Sequence, residues 1–186
     1  IQALSESVLR NNEVQAFIKT TSVQKQTISD LYVWKESLNN YILSNSNIKG
    51  IYLYSFATNW LLSGSSAVQM DETMYEATFS FTSMSYSEWQ IFIRRDLLNG
   101  FYLIPGGELL HITHYRITSR ISALLILRID KSMMTEILRP LTAFSGYVAL
   151  LAADGQIIVS LGNPYFLSPS TETIWFSNYL SGITKP

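Results

Sequence analysis

Two histidines, His111 and His114, are the only side chains of this 186-residue chain whose ordinary titration falls near neutral pH. They sit three apart on a predicted strand, so they face opposite ways and cannot jointly hold a metal. No acidic cluster joins them, and each reads as a structural histidine rather than a general base. There is no cysteine, which removes thiol nucleophiles, thiolate metal sites and disulfides. No serine lies in a G-x-S-x-G elbow, and no glycine-rich phosphate loop occurs. Asp71 and Glu72 are adjacent, which suits a helix cap better than two carboxylates converging on a substrate. The residues therefore predict a chain that is not an enzyme and takes neither a metal nor a cofactor.

The aromatic content is the informative excess: 11 Tyr, 9 Phe and 4 Trp, 13% of the chain. Such side chains fill cores, and they also line ligand pockets in company with a few placed polar groups. The predicted ligand-binding set puts Trp89 in a roof, Tyr54 and Tyr102 on a sheet floor, and Tyr115 or Arg116 on a polar wall. Arg94 and Asp130 are further polar candidates. Arg116 would favour an anionic or hydroxylated ligand through its planar donors, whereas Tyr115 would favour a neutral, sugar-like one. As strand neighbours, Tyr115 and Arg116 point apart unless a bulge intervenes. Arg116 facing water is the competing expectation.

These groups need elements to hold them. From Leu4 to Leu43 there is no Pro or Gly, and Leu4, Val8, Val14, Ile18, Ile28, Leu31, Leu38 and Ile42 form one apolar stripe. The pattern predicts a single helix of roughly 60 Å at 1.5 Å per residue. The stripe thins between Thr20 and Thr27, where a bend is expected. Ile48–Phe56 and Trp60–Gly64 form a predicted hairpin, with Tyr52, Tyr54 and Phe56 on one face. A looser region, 65–85, contains one helical turn capped by Asp71. A short helix around Ser87–Ile93 ends before Asn99-Gly100. Phe101–Ile104 and Leu109–Thr118 form a second hairpin across Pro105-Gly106-Gly107. The almost wholly apolar Ser122–Ile129 is a third, central strand. Asp130 caps a helix, Lys131–Leu138, that stops before Pro140. Tyr147–Ala152 and Gln156–Ser160 form a hairpin across Asp154-Gly155. Trp175–Leu180 suits either strand or helix.

Composition excludes several classes. A chain this long buries about 70% of its unfolded surface, and 47% hydrophobic against 15% charged residues is not disorder. The 13 basic and 14 acidic side chains nearly cancel, leaving no footprint for nucleic acid or for an anionic membrane surface. The uncharged stretch Gly50–Met70 is too rich in Ser, Thr and Asn to span a bilayer. The chain opens on Ile1 with no signal-like segment, as a piece of a longer protein would.

A leading helix, a hairpin pair and then strand, helix, hairpin resembles the Cache family, PAS-like sensors that bacterial receptors hold outside the cell. The most telling stretch is ALLILRIDKSMMTEILRPLTAFSGYVALLAADGQIIVS, Ala123–Ser160. In that family a closing strand of the membrane-distal module ends in Asp, a helix follows, and an Asp-Gly hairpin opens the membrane-proximal module. The chain departs from the pattern in having only 26 residues after Ser160 and no recognisable amino-acid-binding constellation.

The resemblance implies an α+β, PAS-like Cache fold, with a long N-terminal helix on a mostly antiparallel sheet. It implies a membrane-distal sensor module over residues 1–140 and a partial membrane-proximal module over 141–186. It implies the extracytoplasmic sensing part of a histidine kinase, chemoreceptor or membrane-bound regulator. Such a domain binds a small extracellular molecule and passes a helix displacement across the membrane. The expected partners are that small molecule, a second copy of the chain through the N-terminal helix, and flanking transmembrane helices. No nucleic acid is expected. The alternative is a structural or dimerisation module of a membrane protein with no small-molecule ligand.

Overall fold

The computed structural model describes residues 1–20, 28–95, 98–117, 120–145, 147–152 and 155–162. The chain divides into two compact units, Ile1–Asp130 and Lys131–Pro186. It is a mixed α and β chain whose described strand pairs are all antiparallel, as an α+β fold requires.

The first unit opens with three helices, α1 (Gln2–Arg10), α2 (Asn12–Lys19) and α3 (Ile28–Leu43). The single helix expected over Leu4–Leu43 is therefore not formed. Asn11 breaks it. Its backbone is extended, and its side-chain oxygen accepts from the Glu13 and Val14 N–H groups at 2.9 and 3.2 Å. A side chain that caps the next helix competes with continuing the previous one. Thr20 is extended as well and closes α2. Along α3, Leu38 is buried and Leu31 half-buried, whereas the side chain of Ile28 lies outside the described residues. The expected 60 Å rod is absent, and α1 and α3 pack on the sheet.

Six strands follow in the order β3-β2-β1-β6-β5-β4. β1 (Ile48–Ser55) and β2 (Trp60–Ser63) form the expected hairpin, turned by Asn59 in the left-handed region (φ 57). β3 (Ala67–Gln69) extends this edge inside a stretch that reads as loose in the sequence. β4 (Gly100–Leu103) and β5 (Leu109–Ile117) pair across the Pro-Gly-Gly turn, where Gly106 and Gly107 both take positive φ. β6 (Arg120–Ile129) lies between β1 and β5, and Ala123–Leu127 are fully buried. A strand covered on both faces needs that unbroken apolar run. One sheet face carries α1 and α3. The other is roofed by α4 (Glu72–Thr78) and α5 (Tyr86–Arg94). Asp71 caps α4 through Met74 N–H, and Ser85 with Glu88 forms a capping box on α5.

In the second unit α6 spans Lys131–Ser145 and packs on the hairpin of β7 (Tyr147–Leu151) and β8 (Ile157–Gly162). The expected stop before Pro140 does not occur. Proline removes one helical hydrogen bond, but the buried Met134 and Leu138 and the contact with β7 and β8 outweigh that local cost. Asp154 and Trp175–Leu180 lie outside the described residues.

Candidate functional site

The predicted roof and floor meet, and they meet closed. Trp89 is 1% exposed, Tyr102 5% and Tyr54 6%. All three belong to one buried cluster with Tyr75, Phe79, Ile93, Leu110, Ile112, Leu124 and Ile126. The Trp89 ring lies 4.5 Å from Phe79 and 5.8 Å from Phe92, and Phe92 stands edge-on to Tyr102 at 5.8 Å. Alternation along β1 explains this, since it sends Tyr52, Tyr54 and Phe56 to the roofed face.

The hydroxyls of the cluster are already engaged. Tyr54 donates to Asn59 Oδ1 at 2.6 Å, Tyr75 to the Met84 carbonyl at 2.9 Å, Tyr86 to the Met70 carbonyl at 3.2 Å and Tyr102 to the Leu98 carbonyl at 2.7 Å. Burial pushes the Tyr75 hydroxyl up to about 12. At one end of the cluster Glu108 holds Arg128 with two 2.9 Å bonds, and the guanidinium lies 4.2 Å over the Phe81 ring. Arg128 holds the Glu108 carboxyl below its usual range.

Tyr115 does not join the roof. It faces α2, where its hydroxyl donates to Gln15 Oε1 at 2.9 Å. A register shift between Tyr115 and Arg116 breaks the alternation there, and Arg116 is exposed. The predicted five therefore separate into three closed-core aromatics, one residue on the helix-bearing face and one exposed at the strand end. Of the other two polar candidates, Arg94 is exposed and Asp130 lies 3.4 Å from Lys49 Nζ.

The helix-bearing face does have an opening. At the elbow between α1 and α2 a groove of about 450 Å³ is lined by Glu6, Leu9, Arg10, Gln15 and Tyr115. Leu9 is buried and forms an apolar floor beside Tyr115. Gln15 is fixed by its bonds to Tyr115 and to the Leu9 carbonyl. Arg10 and Glu6 touch at 4.0 Å and are 84% and 51% exposed, a pairing too loose to tie up the guanidinium. The groove thus offers an apolar base, a fixed amide and a planar cation with the Glu6 carboxylate beside it, which suits a small molecule that joins an anionic group and a hydrogen-bond donor to an apolar body. Sequence reasoning missed Glu6, Leu9, Arg10 and Gln15. The signal was Asn11-Asn12, a cap that makes the elbow.

His111 and His114 do face opposite ways. His111 turns to α1 and lies 3.2 Å from Ser5 Oγ, whereas His114 lies beside Asn99. No cluster of three or more metal-ligating side chains occurs among the described residues. No helix among them is long and apolar enough to cross a membrane. No protein-family model matches the chain, and no curated protein is similar to it in sequence.

Proposed function

We propose that this chain is the sensing module of a bacterial receptor, held outside the cell membrane, and that it reads a small molecule through the position of α1. The observation that carries the reading is the elbow groove, because its walls come from α1, α2 and β5 at once. A ligand seated there touches the leading helix and the rigid sheet together. Its affinity must then differ between two positions of α1, which is the thermodynamic requirement for coupling. The order of elements supports the PAS-like Cache reading: leading helices, two hairpins, a closing strand that ends at Ile129 and is followed by Asp130, then α6 and the β7–β8 hairpin. The closed aromatic roof favours a second reading, a structural or dimerisation module with no small-molecule ligand, since Trp89 and Phe79 fill the space a roof pocket needs.

A thermal-shift screen of small carboxylates and phosphates separates the two. A binder at 100 times its dissociation constant stabilises the fold by about 2.7 kcal/mol. The sensing reading expects hits whose shift is lost in Arg10→Gln and Tyr115→Phe. The structural reading expects no hit, or hits indifferent to both changes.

A further inference from the structure

His111 is set in the middle of the sheet on a strand hydrogen-bonded along both edges, to β4 and to β6. It is 4% exposed, and the Ser5 side chain that meets it is 0% exposed. Ser5 Oγ lies 3.2 Å from Nδ1 and Thr113 Oγ1 lies 3.5 Å from the same nitrogen. The Phe101 ring of β4 stands edge-on at 4.9 Å, and Leu127 is the cross-strand partner on β6. No acidic group among the described residues acts on the imidazole. Protonation therefore finds no counter-charge, and the cost of a buried imidazolium falls on whichever neighbour yields first.

That neighbour is α1. Among the described residues no backbone hydrogen bond joins it to the sheet. It is held through Ser5, Val8 and Leu9 and by the longer contacts of Ser7 with Tyr41, at 3.3 and 3.4 Å. The paired strands around His111 have no comparable freedom. We propose that Ser5 and His111 form an acid-released latch, in which protonation of the imidazole undocks α1 and leaves the sheet folded. The latch does not rest on the ligand reading and holds equally for a structural module.

Burial holds the docked imidazole at about 4, against 6.5 in water. The sign follows from this depression: docking is undiminished above pH 6.5 and weakens as pH falls toward 4. The two values make the docking equilibrium about 100-fold less favourable at pH 4 than at pH 7. The test is a pH titration by NMR of the His111 ring and of the α1, β1 and β6 backbone amides. The expected result is that α1 amides move together with the His111 ring between pH 6.5 and 4, while β1 and β6 hold their shifts. In His111→Gln, neutral at every pH, α1 stays docked through pH 4. Ser5→Ala keeps the imidazole and weakens docking, so release shifts to higher pH; this variant serves if His111→Gln fails to fold. The proposal is overturned if α1 holds while the ring titrates, if the sheet unfolds in the same step, or if His111→Gln releases α1 at the wild-type pH.

Discussion

Trp89 shows at the level of single residues why aromatic excess is ambiguous. The same composition and spacing serve a pocket roof or a core, and what separates them is whether the rings leave space. Here Phe79 stands 4.5 Å away and the tyrosine tips are consumed by backbone carbonyls of the roof itself. The account predicts that Trp89→Ala destabilises the first unit by about 3–5 kcal/mol, as truncating a large buried aromatic does. Urea denaturation measures it; a loss under 1 kcal/mol would mean the ring fills no core. Glu108 makes a second prediction. Arg128 depresses its pKa, so its contribution is present above pH 4.5 and fades as pH falls below that value. Glu108→Gln should cost roughly 1–3 kcal/mol at pH 7 and show a smaller loss on acidification below pH 4.5, read from denaturation curves at several pH values. An acid slope equal to wild type would remove the pair from the accounting.

Turn chemistry made the hairpins legible at the level of elements. Asn59 and Gly106-Gly107 hold the positive φ angles those turns need, and the apolar run in β6 announces its central place. The leading helices were legible in kind but not in number. Leu4, Val8, Val14 and Ile18 keep helical spacing across the break, so the stripe conceals a cap that occupies one residue. β3, three residues long, is too short for any periodicity. The groove was illegible for the same reason as the break, since its walls meet only because α1 and α2 bend at Asn11. Asn11→Ala should cost about 1 kcal/mol through the lost cap, and it favours continuing α1 into α2. Thermal unfolding reads the first effect, and amide shifts of Glu13 and Val14 read the second. Unchanged shifts at both would mean the cap does not hold the elbow.

At the scale of the whole molecule, charge and chemistry argue by exclusion and only partly by assignment. A net charge of −1 and 15% charged residues leave no electrostatic partner written into the composition. The architecture is one many functions share, so the sensing reading rests on the elbow groove, the helix it grips and the order of the elements. Its central claim, a module held on the outer face of the membrane, can be tested directly because this chain has no cysteine of its own. The measurement places Ile91→Cys, on the exposed side of α5, in a full-length protein otherwise free of cysteine. Intact cells are then treated with a membrane-impermeant maleimide. The account predicts labelling before lysis at the rate of an exposed thiol; labelling only after lysis would contradict it.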